Sequence, residues 1–155
     1  YDFFQSPKIV YPNICKRPEF TFDESGLYTN QKCFIIASVD KYLLGILNSS
    51  VSFFLFRTML PRLRGGFFEP SYIYFKDFPI HSINFSDPAD KSRHDQIVKL
   101  VEQMLAAKEK LAQSKTDAET HRLEAHCASL DRQIDAAVYE LYGLTEEEIA
   151  IIEKL

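Results

Sequence analysis

The sequence predicts an α+β fold: a mixed β-sheet with short helices, then a long antiparallel α-helical hairpin and a short terminal helix. Three observations predict it. Short aromatic and β-branched runs alternate with brief helical patterns up to Phe85, and the 13 Phe and 8 Tyr are concentrated there. Beyond Asp87-Pro88-Ala89-Asp90 proline disappears, and apolar residues recur at intervals of three and four. The stretch from Ile134 reads as a helix end, a glycine stop and a capped restart. The change of texture divides the chain into an α+β domain over 1–86 and a helical part over 87–155.

In order, Pro7 to Tyr11 predicts a strand ended by Pro12, and Phe20 to Asp23 a second with Ser25-Gly26 as its turn. Lys32 to Ser38 predicts a third, and its run Phe34 to Ala37 suggests a central strand buried on both faces. Asp40 is placed to cap a short helix through Leu47. A second helix follows from Ser50 to Leu60, with Val51, Phe54, Leu55, Thr58 and Met59 on one face. Pro61 to Gly66 predicts a loop, Tyr72 to Phe75 a strand, and Phe78-Pro79-Ile80 a closing edge segment.

In the second part, Ile97, Leu100, Val101, Met104, Leu105, Lys108 and Leu111 form one helical stripe. Leu123, Cys127, Leu130, Ile134, Val138 and Leu141 form the next. The break at Ser114 to Asp117 is weakly marked, but pairing the two helices buries both stripes. Gly143 suits the left-handed stop, and Thr145 with Glu148 forms a T-x-x-E capping box before Ile149, Ile151 and Ile152.

Charge is uneven. Residues 1–84 carry nine Lys/Arg against seven Asp/Glu, and residues 85–155 nine against fifteen, so +2 and −6 make up the net −4. A polyanion would be met by the first part, through a local basic patch. Cys15, Cys33 and Cys127 have no paired spacing, which argues against a disulfide scaffold or zinc site and points to a reducing cytoplasm. Tyr42 to Leu60 has the single charge Arg57, yet Asn48-Ser49-Ser50 interrupts it as a turn, so two short helices are expected rather than a membrane span. The four histidines do not share a metal-ligand spacing. With no leader and no Met before Tyr1, the chain is expected to be a piece of something longer.

Pro7 to Lys16 (PKIVYPNICK), Tyr42 to Ser49 (YLLGILNS), and the tail from Leu130 carry a resemblance. In the tail it lies in Ile134-Asp135, Val138-Tyr139, Leu141 to Thr145 and Glu148-Ile149. Together these segments resemble the TaqI-like C-terminal specificity domain, the target-recognition region of restriction-modification DNA methyltransferases. The tail also resembles helices of type I specificity subunits. The resemblance implies double-stranded DNA as partner and an adenine-N6 methyltransferase domain or subunit using S-adenosylmethionine. This chain has no Asn-Pro-Pro-aromatic signature and no Gly-rich cofactor loop, so catalysis and cofactor are expected outside it.

Arg62 and Arg64 with Gly65-Gly66 are the leading DNA-contact candidates. Arginine can donate two hydrogen bonds to guanine or clamp phosphate, and glycine permits close backbone approach. Pairing with Glu69 or Asp77 on a solvated loop is the alternative. Lys16 and Arg17 can hold the phosphate backbone, or form an ordinary surface pair. Lys32 and Arg57 are further DNA-binding candidates, while Asn30 and Gln31 suit turn capping more than adenine readout. One face of the Tyr72, Tyr74 alternation is expected in the core. The triplet Glu146 to Glu148 is expected to complement a helix N-terminus. The competing function is a protein-interaction module whose acidic hairpin docks a partner, and a further alternative is half of a type I specificity subunit.

Overall fold

A computed structural model of the chain describes residues 2–26 and 32–154. The fold is mixed α+β, and the chain divides into two compact units, Tyr1–Ile80 and His81–Leu155.

In the first unit α1 (Asp2–Gln5) precedes the strands β1 (Lys8–Pro12), β2 (Thr21–Asp23) and β3 (Cys33–Ile36). All pairing is antiparallel in the order β2-β1-β3, with Ile9 opposite both Phe22 and Ile36. The centre is therefore β1, and the expectation of a doubly buried central strand at Phe34 to Ala37 is corrected. All four residues of β3 are half-exposed. Its apolar run has another physical reason: Ile35 and Ile36 line an open groove of about 340 Å³ together with Leu43, Leu47 and Tyr72. Lys8 is buried and its ammonium donates to Asp23 Oδ2 at 2.6 Å and to the Phe4 carbonyl at 2.7 Å.

The helix α2 (Lys41–Leu47) starts where Asp40 accepts from the Tyr42 amide. Asn48 ends it and exchanges two hydrogen bonds with the Phe20 backbone. The next helix, α3 (Ser50–Met59), is capped by Ser49. Its buried face is Val51, Ser52 and Phe56, not the predicted stripe through Phe54, Leu55 and Thr58. Aromatic packing decides this, since Phe20, Phe68 and Phe78 gather around Phe56 at 6.3, 6.0 and 5.7 Å.

Pro61 to Gly66 is not wholly a loop. Arg62 and Leu63 form β4 (Arg62–Leu63), which pairs antiparallel with β5 (Phe67–Phe68). Tyr72 to Phe75 is a helical turn, α4 (Tyr72–Phe75), rather than a strand. Strand-favouring residue types are overridden because Phe75 must reach Tyr11, Phe20 and Phe78, with ring centroids at 5.5, 5.6 and 5.0 Å. Phe78-Pro79-Ile80 is irregular and makes no strand; buried Phe78 is held there by its ring contacts.

The second unit is the predicted hairpin. The helices α5 (Pro88–Gln113) and α6 (Asp117–Leu141) run antiparallel, and Arg93 near the start of one lies 3.5 Å from Glu140 near the end of the other. Asp87 and Thr116 cap their N-termini. Every predicted α6 stripe residue is buried, as are Ile97, Leu100 and Val101 of α5. Lys108 is exposed and Ala107 takes the inward place, because a small side chain lets the helices approach. Gly143 has φ of 62° and the capping box of α7 (Glu146–Glu153) is complete. Among the described residues, no helix is long and apolar enough to cross a membrane.

Candidate nucleic-acid interface

The β4–β5 ribbon organises most of the sequence-predicted cations. Leu63 pairs with Phe67, which leaves Arg64-Gly65-Gly66 as a three-residue tip. Gly65 and Gly66 have φ of 83° and 79°, a region closed to most side chains. At Gly65 an added Cβ would also approach Phe67 to 3.3 Å, whereas Gly66 faces open space. The paired glycines therefore make the turn possible and leave its backbone amides accessible.

A second segment is tied to this ribbon. Cys15 and Phe68 exchange backbone hydrogen bonds, Cys15 N donating at 3.1 Å and Phe68 N at 2.7 Å. The bridge places Lys16 and Arg17 beside β5, and the Lys16 ammonium sits 5.0 Å from the Phe67 ring centroid. Lys16, Arg17, Arg62 and Arg64 are all exposed. Neither Arg62 nor Arg64 pairs with Glu69 or Asp77, so the solvated ion-pair alternative does not describe this loop.

Burial pushes the Cys15 thiol up to about 11, helped by the Glu19 carboxylate and opposed by the Arg17 amide. It is a structural, neutral thiol. Arg57 is set from the α3 side. Its guanidinium lies 4.8 Å from the Phe53 ring and 6.0 Å from that of Phe54. Burial lowers its pKa first, and the nearby Arg62 charge lowers it further. The aromatic supports Phe53 and Phe67 were missed in the sequence. The first had a signal, since Phe53 precedes Arg57 by four residues on one helix face.

Lys32 is exposed, and its carbonyl accepts from the Asn13 amide at 2.9 Å, which places it at the sheet end from which Lys16 and Arg17 emerge. Asn30 and Gln31 lie outside the described residues. Tyr72, Ile73 and Tyr74 are 73, 69 and 43% exposed, so of this segment only Phe75 turns substantially inward. No cluster of His, Cys, Asp or Glu suited to a metal occurs among the described residues.

The ribbon carries the exposed cations Arg62 and Arg64 and an accessible backbone turn, a combination whose chemistry suits a polyanion. No curated protein matches the chain. The family model of the TaqI-like C-terminal specificity domain matches residues 1–80, which coincides with the first compact unit. That span holds the Pro7–Lys16 and Tyr42–Ser49 segments and the whole ribbon, while the tail from Leu130 lies beyond it.

Proposed function

The chain belongs to the family of TaqI-like C-terminal specificity domains, and on that premise we propose that it selects the target sequence of double-stranded DNA for a restriction-modification adenine-N6 methyltransferase. One observation carries the reading: the Cys15–Phe68 bridge gathers Lys16 and Arg17 onto the ribbon that already bears Arg62 and Arg64. Lys16, Arg17, Lys32 and Arg57 would neutralise phosphates and set register. Arg62 and Arg64, beside Gly65 and Gly66, would come close enough to reach base edges.

The methyl transfer and its S-adenosylmethionine belong to a separate methyltransferase part. The helical unit, with its charge of −6 across residues 85–155, is repelled by DNA and suited to docking that part. Binding of the chain to duplex DNA should therefore weaken steeply with salt, by about 0.9 log units per log unit for each phosphate neutralised. The test is a salt-titrated binding assay on random duplexes with wild type and an Arg62→Ala/Arg64→Ala variant. The variant should bind more weakly and with a shallower salt slope. Absence of low-salt binding by wild type, or indifference to the double substitution, would overturn this role for the ribbon.

A further inference from the structure

The helical unit carries an open groove of about 560 Å³ between α5 and α6. Its floor is Ala106 and Ala107 from the first helix and Leu123 from the second. Ala107 and Leu123 are buried in the seam, while Ala106 is exposed. Adjacent alanines put nothing beyond Cβ into this space, and that leaves the hollow. Lys110, Arg122 and His126 complete the lining, all exposed, and no carboxylate is among the lining residues. Other cations of the hairpin are engaged: Lys91 donates to Asp95 at 2.6 Å, and Arg93 lies 3.5 Å from Glu140. Among the described residues, no carboxylate pairs with Lys110, Arg122 or His126. The unit's excess of negative charge lies elsewhere along the chain. Residues 108–126 carry four Lys/Arg against four Asp/Glu, whereas residues 127–155 carry two against seven.

We propose that this groove docks an acidic amphipathic helix of a partner protein. A ridge of apolar side chains spaced three and four apart fits the hollow between two packed helices and covers Ala106, Ala107 and Leu123. Carboxylates beside that ridge then meet Lys110 and Arg122, and the His126 ring offers a nitrogen for a hydrogen bond. A nucleic acid matches the basic rim but brings nothing apolar to the floor, and a duplex meets the negative field of the whole unit. The inference goes beyond the docking role given to the helical unit, because the surface facing the partner is locally basic although the unit is acidic. It stands on the groove alone and does not depend on DNA contact by the ribbon.

The experiment follows the fluorescence anisotropy of a labelled synthetic helix titrated with the full chain at low salt. The probe carries Leu and Ala at three-and-four spacing with Glu on both flanks, and a control probe replaces every Glu by Lys. The Glu probe should bind saturably and the Lys probe should not. Lys110→Gln with Arg122→Gln should weaken binding about three- to tenfold, the range of two partly exposed ion pairs. Ala106→Trp fills the floor from an exposed position, keeps every charge and should abolish binding. Lys115→Gln with Arg132→Gln removes two cations that do not line the groove and should leave binding unchanged. Wild type that ignores the Glu probe overturns the proposal, as does equal binding of the Lys probe. So does an equal loss in the off-groove variant, or indifference to either groove variant. A random duplex that displaces the probe and itself binds through Lys110 and Arg122 would make the groove a nucleic-acid surface. A dimer in sedimentation that Ala106→Trp dissociates would make the occupant a second copy. Each of these two results overturns the acidic partner. DNA binding measured on the same samples keeps the readings apart: groove variants should retain the wild-type salt slope, and loss of DNA binding alone leaves the groove standing.

Discussion

At 1% exposure Lys8 is a charge taken almost wholly out of water, and every contact around it serves to make that tolerable. Asp23, 7% exposed, accepts its proton-bearing nitrogen at 2.6 Å, while Ser25 donates its amide and hydroxyl to the other carboxylate oxygen. The pair thus fastens β1 to β2 and closes the turn after it. Removing one partner leaves the other charge buried and uncompensated, so Asp23→Ala should cost about 3–5 kcal/mol. Replacing both, as Lys8→Met with Asp23→Leu, should recover most of the loss. Urea midpoints of the two variants check this, and a loss below about 1 kcal/mol in Asp23→Ala would show the pair to be surface-like. Nothing local in the sequence marked Lys8 for burial. Its partner stands fifteen positions away, and in the alternation of β1 a lysine beside Ile9 reads as a solvated residue.

Elements whose signal is internal to one segment were legible, and those decided by distant partners were not. The stripes of α5 and α6, the caps Asp40 and Thr145, and the Gly143 stop each arise within a few residues, because helix periodicity and capping are local. Strand order in the sheet, the inward turn of Phe75 and the buried face of α3 depend on rings brought from elsewhere. The ribbon lay between: Gly65-Gly66 flanked by Arg62-Leu63 and Phe67-Phe68 is a hairpin signal, read too cautiously as a loop. At the N-terminus of α5, Asp90 accepts from the Asn84 amide at 2.6 Å and lies 3.3 Å from His81 Nε2. The hydrogen bond donated by the Asn84 backbone N–H holds the carboxyl below its ordinary range, with lesser help from His81 and Arg93 against the cost of burial. A depressed folded-state pKa means that the stabilisation is present above the unfolded value, about 3.9, and is lost as pH falls through the folded one. The stability difference between wild type and Asp90→Asn should be flat above about pH 5 and shrink below it. Thermal melts across that range test it; a difference that grows on acidification would contradict the assignment.

At the scale of the whole molecule, charge is divided unevenly along the chain. The first 84 residues carry +2, with Lys16, Arg17, Arg57, Arg62 and Arg64 converging on one ribbon, while the remainder carries −6. A duplex presents a charge about every 1.7 Å of its axis, so the field of the helical unit opposes contact along α5 and α6 even where single lysines lie exposed. That disposition separates the two function classes open from the sequence. A DNA-recognition chain should touch the duplex with its first unit only, whereas a protein-docking module has no reason to favour the ribbon. Photo-crosslinking of the full chain to a duplex carrying photoreactive bases and phosphates, followed by peptide mapping, makes the distinction. Adducts are expected in the segments 13–17 and 57–67 and should disappear as salt is raised. A dominant adduct on α5 or α6 would move the DNA surface to the helical unit and leave the ribbon without its proposed ligand.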